Sequence, residues 1–131
     1  MEATKENIQA VRNIIENTKT RSAWSKGVKQ YAFDLLDSFI EWSQYDVYIE
    51  INERTALNGA QNWIAWAWGG SGLVYHTDIA KRLCTASERE KWYKRGCPNR
   101  ANPREKWLDV EARAVRQAWR MIEEAVRKLE A

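Results

Sequence analysis

The stretch Asn102–Leu129, "NPREKWLDVEARAVRQAWRMIEEAVRKL", decides the fold. It opens with Asn102, Pro103 and Glu105. That is a cap residue, a proline at the first helical position and an acid three residues after the cap. Behind this start, Leu108, Ala112, Val115, Trp119, Ile122, Val126 and Leu129 recur at alternating steps of four and three. Trp107, Val110, Ala114, Ala118, Met121 and Ala125 form a second, alanine-rich seam, and Arg113, Arg116, Arg120 and Arg127 mark a third face. The spacing predicts a helix from 103 to about 129. A helix apolar on two seams belongs at the centre of a bundle. The regular first seam also fits contact with a second copy through Leu108, Val115, Trp119 and Ile122. Bundle core is the favoured reading of the two.

Working outward, Ile8, Val11, Ile15 and Thr18 give one apolar face to a helix over residues 4–19. Ser22 offers an N-cap to a helix over 23–43, whose stripe holds Trp24, Val28, Tyr31, Ala32, Leu35, Leu36, Phe39, Ile40 and Trp42. Gly27 inside it costs about 1 kcal/mol against alanine. "DVYIEI", residues 46–51, alternates as a short strand would near 47–51. The following residues read as a helix, and a helix over 49–57 ending at Asn58-Gly59 is favoured. Asp78 caps a short helix over Ile79–Leu83. "TASE", residues 85–88, is a capping box that opens a helix running to about Arg95. The expectation is a mainly α protein. Residues 1–131 form one domain of five or six helices around the long C-terminal one.

Composition agrees. The chain has 131 residues, 44% hydrophobic and 30% charged, with only two prolines and six glycines. That is a normal globular mix with few turn formers. No apolar run is long enough to span a membrane, and "MEATKENIQAV" lacks the features of a signal peptide. Cys84 and Cys97 alone imply no disulfide framework. The expected setting is the cytoplasm of a bacterial host cell.

The net charge of +3 is unevenly placed. Lys81–Lys106 holds nine Lys/Arg against three acids, so this segment carries +6 and the rest −3. A local basic patch favours an anionic partner. Trp63, Trp66, Trp68, Tyr75, Trp92, Tyr93 and Trp107 share this half of the chain. Indoles stack on bases and arginines pair phosphates, while Trp, Tyr and Arg also dominate protein–protein hot spots. A Trp-rich core with a basic rim is the plainer alternative. Trp63, Trp66 and Leu73 are expected to pack against Trp107 and Val110. Trp68 and Tyr75 then line a cleft rimmed by Arg82, Arg113 and Arg116. The predicted binding set is Trp68, Tyr75, Arg82, Arg113, Arg116, Trp92, Lys94 and Arg95.

No catalytic pattern is expected. His76 and Cys84 form no known dyad motif, and the spacing of His76, Cys84 and Cys97 does not suit structural zinc. "GGSG", residues 69–72, is neither a dinucleotide fingerprint nor a P-loop. No cofactor and no metal are expected.

Three blocks resemble a family of small uncharacterised proteins from prophages and mobile elements of gut bacteria. They are "RSAWSKGVKQYAFDLLD" (21–37), "LNGAQNW" through "WGGSGLVYHTDIAKRLCTASE" (57–88) and "NPREKWLDVEARAVRQA" (102–118). Where that family carries Cys, Asp, Pro and Gln, this chain has Ser71, His76, Ala86 and Glu111. The resemblance implies a phage or mobile-element setting. Small proteins there often counter host defence, as anti-CRISPR or antirestriction proteins do, or act as sponges for nucleotide signals. The first expectation is therefore a non-catalytic protein that binds and inhibits a host defence protein or complex. The alternative is a nucleotide or nucleic-acid binder using the same Trp and Arg residues.

Overall fold

The structure is a computed structural model that describes residues 1–43, 45, 47–58, 79–95 and 107–131. Six helices lie within them: α1 (Lys5–Asn17), α2 (Ala23–Ser43), α3 (53–58), α4 (79–83), α5 (Ala86–Lys94) and α6 (Trp107–Glu130). The fold is mainly α, as the periodicities require. The helix start at Asn102–Glu105 and the cluster Trp63, Trp66, Trp68, Leu73, Tyr75 and His76 lie outside the described residues, as does Cys97.

Local chemistry sets the helix ends. The Thr4 hydroxyl accepts the Asn7 N–H at 3.1 Å and begins α1. Lys29 closes its far end, donating its ammonium to the carbonyls of Glu16 and Thr18 at 2.8 and 3.0 Å. Ser22 caps α2, its hydroxyl accepting the Ser25 N–H at 3.0 Å. Thr85 and Glu88 form the reciprocal capping box that "TASE" predicts. Arg89 secures the other side of that junction, donating to the carbonyls of Lys81 and Cys84.

One segment differs from expectation. Residues 49–51 do not begin a helix. The Ala3 N–H donates to the Ile49 carbonyl at 2.7 Å, and the Ile51 N–H donates to that of Met1 at 2.9 Å. This makes a single antiparallel bridge between Glu2 and Glu50. The backbone groups that would start a helix are spent on it. Asn52 then caps α3, its side chain accepting the Thr55 N–H at 2.9 Å.

The core lies where α1, α2 and α6 pack against one another. Ile8, Val11 and Ile15 from α1, Leu35, Leu36 and Phe39 from α2, and Val115 and Ile122 from α6 are fully buried there. Both seams of α6 point inward: Val110, Ala114, Ala118 and Ala125 of the second are as buried as Val115, Trp119 and Ile122 of the first. The surface that a second copy would need at Val115, Trp119 and Ile122 is therefore used inside the protein. Leu129, at the end of the same seam, is 39% exposed.

Gly27 is the close-approach point. A Cβ built there would sit 2.5 Å from the Arg82 carbonyl oxygen and 2.7 Å from a Leu83 methyl. The sequence cost of this glycine to α2 thus permits α4 to lie directly on it. Gly27→Ala should gain helix propensity yet lose about 1 kcal/mol or more of net stability, because the clash is with backbone. Urea unfolding of both proteins checks this. A variant as stable as wild type would show that α4 lies further out.

The capping box also titrates. The Thr85 backbone N–H, with the hydroxyl of the same residue, holds the Glu88 carboxyl below the usual carboxylate range. A depressed folded value means that Glu88 adds stability above its unfolded value and loses it as pH falls through the folded one. Glu88→Gln keeps the geometry without the charge. Its melting temperature should therefore fall less than that of wild type between neutral and strongly acid pH. Parallel curves would show that the carboxylate contributes nothing.

Candidate binding face on the C-terminal helix

The inward seams of α6 leave Arg113, Arg116 and Arg120 exposed on its remaining face, at steps of three and four. Their surroundings differ. The Arg113 guanidinium carbon stands 4.6 Å from the ring centroid of Trp24. The indole N–H of Trp24 donates to Gln117 Oε1 at 2.7 Å. One turn of α6 thus holds the half-buried indole by its face and its edge. Arg116 and Arg120 have no ion-pair partner among the described residues. Further along, Arg127 is paired with Glu123 at 2.9 Å, so the unpaired charge is confined to the middle of the helix.

Beside Trp24 a groove of about 360 Å³ opens between the α1–α2 connection and α6. Trp24, Val28 and Met121 give it apolar walls, while Lys19, Gln117, Arg120 and Glu124 supply polar groups. The two ammonium contacts of Lys29 fix the connection that forms one side. Lys19 and Arg120 are both exposed.

Other predicted binding residues serve the fold. Arg82 lies across α2, its guanidinium carbon 4.4 Å from the Tyr31 ring centroid and its NH1 2.7 Å from Asp34 Oδ2. Tyr31 is 2% exposed, and its hydroxyl donates to Glu111 Oε2 at 2.9 Å. Arg82 is thus held in a chain of contacts joining α4, α2 and α6. Trp92 is buried at 4% exposure, its ring 5.0 Å from that of Tyr93, so it is a core residue and offers no binding surface. Lys94 pairs with Glu90 at 3.1 Å. Arg95 is exposed at the end of α5, where its backbone N–H closes the helix. Arg113 and Arg116 stand together on α6. Trp68 and Tyr75 lie outside the described residues.

The sequence pattern puts Trp24 in a core stripe and Arg120 on the arginine face of the long helix, but singles out neither of them, nor Lys19 nor Gln117, for binding. The signal that could have found them is a tryptophan in the first turn of a helix. An indole so near a helix end has an edge to satisfy, and its N–H wants an acceptor. Sequence reading also passed over an exposed patch after α2. Tyr45, Val47 and Tyr48 are 65%, 63% and 65% exposed, beside Glu2 and Glu6. The Tyr48 hydroxyl donates to Glu50, which also accepts the Met1 ammonium at 2.6 Å. These contacts hold the Glu50 carboxyl below its usual range, the ammonium contributing most.

Among the described residues, no group of three or more His, Cys, Asp or Glu side chains could hold a metal ion. No described helix is long and apolar enough to cross a membrane. No protein-family model, curated protein or solved structure matches this chain.

Removing the Tyr31 hydroxyl tests the buried chain of contacts. Tyr31→Phe leaves the Glu111 carboxyl, 3% exposed, without this donor. The expected cost is about 1–3 kcal/mol in urea unfolding. A cost within error of zero would mean that Glu111 is satisfied without Tyr31.

Proposed function

We propose that this protein acts by binding, without catalysis, through the face of α6 that carries Arg113, Arg116 and Arg120. The observation that carries this reading is the pair Arg116 and Arg120, exposed one turn apart with no carboxylate partner among the described residues. Guanidinium groups so placed make bidentate contacts with carboxylates and steer an acidic partner toward the face. The held indole beside them adds apolar area of the kind that anchors interfaces. The resemblance to prophage and mobile-element proteins supports a counter-defence role. In it, the partner is a host defence protein or complex that is inhibited by being occupied.

A second reading has its own support. An indole flanked by two arginines, next to a groove of about 360 Å³, is within the size range of small-ligand clefts. A nucleotide could stack on the ring and pair its phosphate with a guanidinium.

Arg116 is the residue to change, since Arg113 also covers Trp24. Tagged wild type and Arg116→Glu, matched in helix content by circular dichroism, are used to capture partners from bacterial lysate with and without nuclease. A host protein retained after nuclease and reduced about tenfold or more by Arg116→Glu is the expected result. Equal capture by both would remove the α6 face from the binding surface. Capture that vanishes with nuclease and falls steeply with salt would favour a nucleic acid as the ligand of that second reading.

A further inference from the structure

Resting on that reading of α6, we propose that the groove beside Trp24 takes one large apolar side chain from an acidic protein segment. The argument begins with what the groove can and cannot hold. The Trp24 N–H is already donated to Gln117, so the indole offers the groove carbon edges. Val28 is 4% exposed, and Met121 adds a thioether side chain that adapts its shape to what it meets. An apolar side chain loses nothing by leaving water for such walls. A phosphate would lose hydration there and would meet the Glu124 carboxylate at the edge. Glu124 is only weakly neutralised, its nearest cation being Lys128 at 3.9 Å.

The charges around the groove then choose the flanks of the incoming segment. Lys19 and Arg120 border it, and Arg116 stands one turn before Arg120 on the same face of α6. Three cations against one carboxylate favour acidic residues on either side of the apolar anchor. The groove has room for one or two side chains. The partner is therefore an extended acidic segment of a protein, anchored by a leucine- or phenylalanine-sized residue. A nucleotide is the competing outcome.

The test uses the full chain labelled with ¹⁵N and three probes. These are the acetylated, amidated peptide Asp-Glu-Leu-Glu-Asp, the same peptide with serine for leucine, and adenosine monophosphate. The readouts are the Trp24 indole N–H, assigned from Trp24→Phe, and the Gln117 side-chain amide. The leucine peptide should shift both signals saturably, at a concentration about tenfold below that needed by the serine peptide. Met121→Glu should abolish the response. Should that variant not fold, Lys19→Glu with Arg120→Glu, both at exposed positions, should weaken it about tenfold or more. No saturable shift overturns the proposal. So does an equal response to leucine and serine, or a response to the nucleotide alone.

The two readings fail separately. If Arg116→Glu abolishes partner capture while the leucine peptide leaves Trp24 unmoved, the groove proposal falls alone. If the peptide binds while Arg116→Glu leaves capture intact, the reading of the α6 arginines falls and the groove stands.

Discussion

The buried hydrogen bond from Tyr31 to Glu111 fixes how α2 lies on α6, and the candidate site depends on that alignment. A second contact of the same pair of helices, Trp24 to Gln117, stands two turns away. Going from Tyr31 to Trp24 moves seven residues toward the start of α2. Going from Glu111 to Gln117 moves six residues toward the end of α6. At 1.5 Å per residue these paths are about 10 and 9 Å long, so the helices run antiparallel and the two contacts act as rivets along one seam. Ala114, between them on α6, and Ala118, just past the second, are fully buried. Small side chains there let the helices approach closely enough for the polar pairs to meet.

The second dependency runs through Gly27. With no side chain at that position, the backbone of α4 rests against α2 and delivers Arg82 to the face of Tyr31. Arg82 covers the ring, and its other contact, Asp34, lies on the same helix as Tyr31. A glycine that weakens α2 as an isolated helix therefore helps to order its tertiary contacts. Propensity and packing oppose each other here, and packing prevails because its partner is a backbone carbonyl with nowhere to go.

This explains which parts of the protein were legible in sequence. The two buried seams of α6, the apolar face of α1 and the Thr85–Glu88 box were readable because period and capping are local properties. Gly27 was readable only as a cost, since its benefit lies 55 positions away. The bridge at Glu2–Glu50 was legible only as alternation in residues 46–51, because its partner lies in the first three residues. The site was harder to read. Counting charge pointed to Lys81–Lys106, but of the six cations in the described part of that segment Arg82 and Lys94 are ion-paired and Arg89 is held by two carbonyls, which leaves Lys81, Lys91 and Arg95 without such contacts among the described residues. A sequence count registers each cation and cannot register its neutralisation.

The face of α6 escapes that objection for a geometric reason. Carboxylates do occur on α6, at Asp109, Glu111, Glu123, Glu124 and Glu130. Glu111 is turned inward to Tyr31, and Glu123 is taken by Arg127. Arg116 and Arg120 thus keep their charge with no carboxylate partner among the described residues. Gln117, one position after Arg116, is neutral and is spent holding Trp24. A carboxylate at 117 could also accept the indole N–H, but it would stand one turn from both Arg113 and Arg120, where it would attract them. With glutamine there, the indole edge is held by a neutral acceptor, and Arg116 and Arg120 keep no carboxylate partner among the described residues. The arrangement keeps positive charge and apolar surface side by side, one set by the helix period and the other by a single amide acceptor.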